Sequence, residues 1–163
     1  MSQVLIHLGM TGTLRIANKK SNFYKKHDHI EFIFQKGKLI FNDPRRFGSM
    51  HFINDPKNHF LLANLGPEPL SDEFNGEYLF HKIKKSVSPI KNTLMNQKNV
   101  VGIGNIYANE ILFDAKIRPT RKSKTLTKKE NENIVASSKK ILMHAIKAGG
   151  TTLQDFYQPD GNK

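Results

Sequence analysis

The sequence predicts an α+β protein in which a partial antiparallel β-sandwich is followed by a bundle of helices. Short runs of alternating apolar residues fill the first third of the chain, and the rest carries helix caps with apolar residues at helical spacing. The 163 residues are enough to bury a core. We expect a partial sandwich over residues 1–56, a helical domain over 57–150, and a loop or linker over 151–163.

The strands are predicted from alternation and from turn residues between the runs. Ile30, Phe32 and Phe34 alternate in one run, and Gln35-Lys36-Gly37 predicts the turn to its hairpin partner. The predicted strands are Val4–Leu8, Thr11–Ile16, Ile30–Phe34, Leu39–Phe41 and Met50–Ile53.

The first two helices are predicted from their caps. Asn75 or Ser71 caps a helix that runs to about Lys85. Ser88-Pro89 provides a cap and a first-turn proline for a short helix that ends near Asn96.

Two further helices follow. Asn105 begins a helix that runs to about Ala115. The segment Thr127-Lys128-Lys129-Glu130 forms a capping box before a long helix, and Gly149-Gly150 ends that helix. Its apolar stripe consists of Ile134, Ile141, Leu142, Ala145 and Ile146.

The charge of the chain indicates a polyanionic partner. The net charge is +12, and the isoelectric point is about 9.9, which is typical of a nucleic-acid-binding protein. Residues 116–129 contain no acid but seven basic residues, namely Lys116, Arg118, Arg121, Lys122, Lys124, Lys128 and Lys129. We interpret this segment as a binding surface rather than as a device for solubility.

The composition excludes several classes of protein. No apolar run approaches the roughly 18–20 residues that span a bilayer, and no signal peptide opens the sequence. The chain has no cysteine, so it forms neither disulfides nor thiolate metal sites. We expect a cytoplasmic, nucleoid-associated monomer without a cofactor.

The segment from Lys98 to Glu110 is the strongest functional signal. A strand-like step is followed by Gly102, Gly104 and then Asn105, which opens a helix. Small residues before a helix start present backbone N–H groups at the positive end of the helix dipole, and such a site binds anions. In a chain this basic, the expected anion is a nucleic-acid phosphate.

Two glycine-flanked loops carry side chains that are unusual on a surface. The segment from His7 to Gly12 places Met10 at a loop tip, and Asp43–Gly48 places Arg45, Arg46 and Phe47 on a tight turn. Such side chains suit a wedge that enters a duplex and fills a vacated base position. In the alternative interpretation Met10 and Phe47 are minor core residues at a sandwich edge, but the arginine pair and the glycines favour the wedge.

These segments together resemble bacterial formamidopyrimidine-DNA glycosylases, which excise 8-oxoguanine and ring-opened purines and cleave the resulting abasic site. The matching stretches occur in the order of that family and extend along the whole chain. They are Ile6–Gly12, Lys26–His29, Asp43–Gly48, Leu65–Leu70, Val100–Glu110 and Gly149–Thr152.

The resemblance implies DNA-binding roles for the matched positions. Met10, Arg45 and Phe47 correspond to the void-filling wedge, with Arg45 also hydrogen-bonding the orphaned cytosine, which suits the planar guanidinium. Arg46 corresponds to a phosphate clamp, and His27 to a histidine that contacts the DNA backbone. His7 lies in the first matching segment and is also predicted to bind DNA.

The resemblance further implies a helix-two-turn-helix grip on the phosphates of the lesion strand. Gly104, Asn105 and Tyr107 correspond to this grip, aided by Lys91. Two departures from the family pattern are Asn96, where aspartate is usual, and Val87, where a basic residue is usual.

The catalytic residues of the family have no counterpart in this sequence. The family nucleophile is an N-terminal proline, and its segment falls before Val4 in a chain that begins Met1-Ser2-Gln3. The family zinc finger needs four cysteines, and this chain has none. We therefore expect a central fragment with no catalytic residue, a lesion loop that is cut short in 151–163, and retained binding of duplex DNA containing oxidised purines or abasic sites.

Other interpretations remain open from the sequence. The chain is alternatively a non-enzymatic DNA-binding module, or the sibling glycosylase that removes oxidised pyrimidines. A ribosomal or topoisomerase-type protein also uses a helix-two-turn-helix element, but it does not explain the wedge. A metal pair at His27-Asp28-His29 is disfavoured, because residues two apart on a strand share a face without closing a ligand set.

Overall fold

The computed structural model describes residues 3–150. These residues divide into two compact units, the first ending at His59 and the second beginning at Phe60. All the strands lie in the first unit and all the helices in the second. This architecture confirms the predicted α+β class.

The first unit consists of two small antiparallel sheets. The strands are β1 (Gln3–His7), β2 (Thr13–Ala17), β3 (Asp28–Ile33), β4 (Lys38–Asn42) and β5 (Ser49–Ile53). β1 pairs with β5, and β4 lies between β2 and β3. All the predicted strands are present, and among the described residues of this unit Ile40 and Phe41 of β4 are the buried apolar side chains.

The largest differences from the predicted strand bounds are at the starts of β2 and β3, and β3 begins at Asp28 rather than Ile30. β2 begins at Thr13 rather than Thr11, because the preceding residues form a turn that is closed by the Gly12 N–H, which donates to the Leu8 carbonyl at 2.9 Å. The tip of this turn carries Met10, so the turn moves that side chain out of the sheet.

The second unit contains α1 (Gly76–Ile83), α2 (Ile90–Met95), α3 (Asn105–Asp114), a short 3₁₀ helix (Ser123–Thr125) and α4 (Lys128–Lys147). Asn75 is the cap of α1, since its side chain accepts the Tyr78 N–H at 2.9 Å, and Ser71 is not. The predicted capping box between Thr127 and Glu130 is present at the start of α4. Gly149, with φ of 80°, follows the last residue of this helix and its cap.

The prediction that Ser88 caps α2 is wrong. The N-cap is Pro89, and no side chain caps this helix. The helix begins at Ile90, so Ser88 lies one residue outside the cap position. The Ser88 carbonyl instead accepts the Ser123 N–H of a distant segment at 3.0 Å.

The core of the second unit is formed by all four helices and the segments between them. α4 packs against α1 and α3. Of its predicted stripe, Ile134 and Leu142 are buried, whereas Ile146 in the last turn is exposed. The fully buried apolar residues of this core are Phe74, Leu79, Ile83, Ile90, Leu94, Val100, Ile103, Ala108, Ile111, Leu112 and Ile134.

Candidate nucleic-acid interface

Three exposed side chains meet where two loops of the first unit adjoin. Met10 is 73% exposed and Phe47 is 56% exposed. Nη1 of Arg45 lies 3.6 Å from the Met10 sulfur, and its guanidinium carbon lies 4.7 Å from the centroid of the Phe47 ring. The structure therefore brings together the three residues predicted as a wedge, and we call them the wedge cluster.

A buried carboxylate joins the two loops beneath this cluster. Asp43 is 1% exposed, and it accepts the Thr11 hydroxyl at 2.6 Å and the Gly48 N–H at 2.7 Å. Thr11 Oγ1 in turn accepts the backbone N–H of Arg45 at 3.3 Å. The hydrogen bond from Thr11, followed by that from Gly48, lowers the pKa of Asp43 below its usual 3.8. Asp43 is therefore ionised at neutral pH and fixes the loop that carries Arg45.

Sequence reasoning did not single out Asp43. The signal was its position before Pro44 at the start of a turn, where an aspartate side chain accepts backbone N–H groups further along the turn. The sequence does not show that the same carboxylate also binds Thr11, which is 32 residues away.

Two glycines allow the loops to approach each other. A Cβ on Gly48 would lie 2.6 Å from Cζ of Phe41 and 2.9 Å from the His7 carbonyl oxygen. Gly9 has φ of +64°, and a Cβ there would lie 2.7 Å from the carbonyl carbon of Phe47. Any side chain at either position would separate the loops and disperse the wedge cluster.

The other predicted residues of the first unit adjoin the same loops. Nδ1 of His7 accepts the Gly9 N–H at 3.2 Å. The His27 carbonyl accepts the Asp43 N–H at 3.1 Å, and His27 itself has φ of 73°. Arg46 is exposed with φ of 56°. The structure thus gathers all six predicted residues of this unit around one pair of loops.

In the second unit, α3 begins without a capping side chain. Gly104 is its N-cap, with φ of −98°, and as a glycine it contributes no capping side chain. Gly104 and Asn105 are exposed, whereas Tyr107 packs against the core. The exposed part of this helix start therefore runs from Gly104 to Ile106.

The loop before α3 is held in place by its own hydrogen bonds. Gln97 accepts the Gly66 N–H at its carbonyl, at 2.7 Å, and the Gly102 N–H at Oε1, at 3.0 Å. The Asn99 carbonyl accepts the Tyr78 hydroxyl at 2.9 Å. These bonds fix the approach to α3, so an anion at the helix start would meet a preformed site.

Two flanking positions are also defined. Lys91 is half-buried in the first turn of α2, and its N–H donates to the Pro119 carbonyl at 3.2 Å. Asn96, which departs from the family pattern, uses its side-chain oxygen to accept the Lys98 N–H at 3.0 Å. Asn96 therefore supports the turn after α2, and the aspartate that is usual at this position is not required for that.

The described part of the chain holds neither a metal-ligand cluster nor a membrane-spanning helix. Residues 3–150 contain no group of three or more histidine, aspartate or glutamate side chains placed to hold a metal ion. The zinc that the family resemblance implies thus has no fitting ligands in this part, and the chain has no cysteine. None of the described helices has the length and apolar character needed to cross a membrane.

A strand unit bearing the wedge cluster, followed by helices with a glycine-led start at α3, defines the class of helix-two-turn-helix glycosylases. Residues 65–157 match the family model for the formamidopyrimidine-DNA glycosylase H2TH domain, and residues 1–50 match that for the N-terminal domain. The chain belongs to the formamidopyrimidine-DNA glycosylase family.

Curated relatives agree with this assignment. The chain is 52% identical over 160 residues to formamidopyrimidine-DNA glycosylase of Legionella pneumophila strain Lens, covering 97% of this chain and 58% of the relative. It is 48% identical over 159 residues to that of Yersinia enterocolitica, covering 97% of this chain and 59% of the relative. The chain therefore spans less than two thirds of the length of these relatives.

Solved structures show the same fold. A complex of Lactococcus lactis Fpg with DNA containing an abasic site is 33% identical with a TM-score of 0.87, covering 98% of this chain and 59% of that one. MutM bound to carbocyclic 8-oxo-G DNA is 35% identical with a TM-score of 0.86, covering 94% and 58%. MutM (Fpg) of Thermus thermophilus is 36% identical with a TM-score of 0.87, covering 98% and 59%.

Proposed function

We propose that this chain serves base-excision repair of oxidised purines by binding duplex DNA at 8-oxoguanine, formamidopyrimidine or abasic sites. The enzymatic context is that of a bifunctional DNA N-glycosylase and AP lyase. The observation that carries the proposal is the wedge cluster, in which a thioether, a guanidinium and a phenyl ring meet on exposed loops. The relative bound to 8-oxo-G DNA supports purine lesions over oxidised pyrimidines.

The cluster suits a gap in a base stack. Met10 and Phe47 present apolar surface. Moving that surface out of water and into the gap between bases would favour binding. Arg45 stacks on Phe47, so its fork of N–H donors is held beside the ring and can pair with a base whose partner has been extruded. We assign Arg45 to the orphaned cytosine and Arg46 to a phosphate.

The second unit supplies the phosphate grip in this proposal. Gly104 and Asn105 lie at the positive end of the α3 dipole. By the family resemblance, Lys91 aids them in binding the phosphates. His7 and His27 adjoin the loops of the wedge cluster and are assigned to the DNA backbone. These contacts carry no sequence information and hold the duplex in register.

We assign no bond-breaking role to the described residues. A guanidinium stays protonated, so Arg45 is not a base or a nucleophile. The Asp43 carboxylate is occupied by Thr11 and Gly48 and its pKa is lowered, which makes it a poor proton donor. The proposal needs no cofactor, and it places the chain in the cytoplasm at the nucleoid as a monomer, with 57–150 as the DNA-binding domain.

The proposal is tested by fluorescence anisotropy with the 163-residue chain. We expect tighter binding to a duplex carrying a tetrahydrofuran abasic analogue opposite cytosine than to the undamaged duplex. We also expect no adduct when the chain is mixed with 8-oxoguanine duplex and borohydride. Equal affinity for both duplexes would contradict damage recognition, and a trapped adduct would contradict a role limited to binding.

Gly104→Ala separates DNA binding from folding. Apart from Gly104 itself and its chain neighbours, no atom of the described residues lies within 4 Å of a Cβ built on Gly104, and its φ of −98° suits alanine. We therefore expect the free energy of unfolding to change by less than about 1 kcal/mol. A methyl group at the helix start would obstruct a phosphate, so duplex affinity should fall about tenfold. Unfolding in urea and anisotropy measure the two effects, and unchanged affinity would exclude a phosphate at this position.

A further inference from the structure

Two segments of the second unit run side by side. Within the described residues, most of their lysine and arginine side chains have no carboxylate at ion-pair distance. Residues 86–90 lead into α2, and residues 121–124 lead into the 3₁₀ helix. The Lys124 N–H donates to the Ser86 carbonyl at 2.9 Å, the Ser123 N–H to the Ser88 carbonyl at 3.0 Å, and the Ile90 N–H to the Arg121 carbonyl at 2.8 Å. We call residues 84–90 and 118–124 the basic ribbon.

The ribbon is anchored from below by a buried serine. Ser123 is fully buried; its hydroxyl donates to the Ser88 carbonyl at 2.9 Å and lies 2.7 Å from Oγ1 of Thr93. Lys122 and Lys124 on either side of it are exposed. The fold thus places two lysines on the outer surface of a fixed backbone, with Lys84 and Lys85 exposed nearby in the paired segment.

Three acids of this unit pair with lysine or arginine side chains, and one of these pairs lies within the ribbon. Glu130 pairs with Arg121, Glu132 with Lys129 and Asp114 with Lys140. The Arg121 side chain is used structurally, since it also donates to the Thr125 carbonyl at 2.8 Å. Among the described residues, no carboxylate lies within ion-pair distance of the remaining cations of the ribbon, which are Lys84, Lys85, Arg118, Lys122 and Lys124.

We propose that the basic ribbon is a second contact for the sugar–phosphate backbone of DNA, separate from the start of α3. This inference rests on the proposed function. Lysines are flexible point charges that neutralise phosphates without reading bases. The ribbon leads into α2, whose 6 residues span about 9 Å, and the loop before α3 follows that helix. The two contacts are therefore close enough along the chain to engage one duplex.

A membrane surface fits the ribbon less well. Binding at a bilayer interface combines basic residues with bulky apolar side chains that enter the headgroup region. In the ribbon, Val87 is the exposed large apolar residue among those described, and it is short. A surface that carries positive charge but few bulky apolar side chains is better suited to the phosphate backbone of DNA than to a membrane.

The test compares two double variants that remove the same charge. Lys122→Ala/Lys124→Ala changes the ribbon, and Lys19→Ala/Lys20→Ala changes exposed lysines of the first unit. Duplex affinity is measured by anisotropy between 50 and 300 mM NaCl. We expect the ribbon variant to reduce the slope of log K against log salt by about 1.8, because each lost phosphate contact removes about 0.9. The control variant should retain the slope of the unchanged chain.

Further measurements separate this inference from the proposed function. Lys122→Arg/Lys124→Arg should restore the slope, and the preference for damaged duplex should stay the same in every lysine variant. If the unchanged chain does not bind duplex, the proposed function fails. If it binds and both alanine variants share one slope, the ribbon contact alone is refuted. Loss of binding to phosphatidylserine vesicles with unchanged duplex binding would refute it in favour of a membrane surface.

Discussion

Asp43→Ala is expected to lower affinity for damaged duplex by on the order of tenfold or more. The substitution leaves the Thr11 hydroxyl and the Gly48 N–H without their acceptor. Thr11 then no longer fixes the backbone of Arg45, so the wedge cluster loses its geometry. Anisotropy with an abasic-site duplex measures the affinity, and circular dichroism reports whether the strands persist.

Asp55→Ala is the matched control for Asp43→Ala. It changes the net charge by the same amount, but Asp55 is exposed, and the hydrogen bonds it accepts within the described part of the chain come from its own turn, from the Lys57 N–H and the Asn58 amide. We expect wild-type affinity from this variant. If both variants bind damaged duplex equally, the buried carboxylate does not organise the wedge cluster.

The pKa of Asp43 also sets a pH dependence. Because its hydrogen bonds lower the pKa in the folded state, the ionised form stabilises the fold at every pH above the usual value of 3.8. This contribution is lost as the pH falls through the lower, folded-state pKa. The difference in melting temperature between the unchanged chain and Asp43→Asn should therefore be constant near neutral pH. It should shrink once the pH falls below the usual aspartate pKa of 3.8.

Arg45→Ala is expected to remove the preference for cytosine opposite the lesion. A well-placed guanidinium contributes about 1–3 kcal/mol of discrimination between bases, or roughly 5- to 150-fold in affinity. Met10 and Phe47 would remain, so binding to the abasic site itself should persist in weaker form. Competition between duplexes with cytosine, adenine or thymine opposite the abasic analogue measures the preference.

Two variants test whether the preference for cytosine depends on the planar set of N–H donors of Arg45 or only on its positive charge. Arg46→Ala removes the same charge from the same exposed loop and should weaken binding to all the duplexes alike. Arg45→Lys keeps the charge but loses the planar set of donors, and it should lose most of the preference. Equal effects of Arg45→Ala on every opposite base would show that Arg45 contacts phosphate only.

Secondary structure was predictable where the signal is local. The capping box at Thr127 and the alternation around Phe32 depend on residues within one turn or one strand, and both elements are present. The choice between Asn75 and Ser71 stayed open because both side chains suit a cap, and only the bond to the Tyr78 N–H decides it.

Burial on the helices was less predictable. Phe113 continues an apolar run, yet it is 82% exposed, whereas its neighbour Leu112 is fully buried. A helix turns by about 100° per residue, so adjacent residues point to different sides. Which side faces the core depends on where α2 and α4 pack against α3.

The candidate site divides in the same way. The sequence identifies Met10, Arg45 and Phe47 individually, because glycine flanks and loop positions make them unusual. It does not show that they touch, that Asp43 lies beneath them, or that the segment carrying Lys122 and Lys124 pairs with residues 86–90. Thr152 and the rest of the predicted lesion loop over 151–163 lie outside the described residues.

By itself the sequence determined the order of strands and helices, the excess of positive charge, and the family to which the segments point. These properties are carried by neighbouring residues, so short-range periodicity and turn chemistry are enough. Only the tertiary structure decided which loops share the Asp43 carboxylate and which segments form the basic ribbon. Those pairings join residues 32 and 35 positions apart, and such contacts depend on how the elements pack rather than on any local pattern.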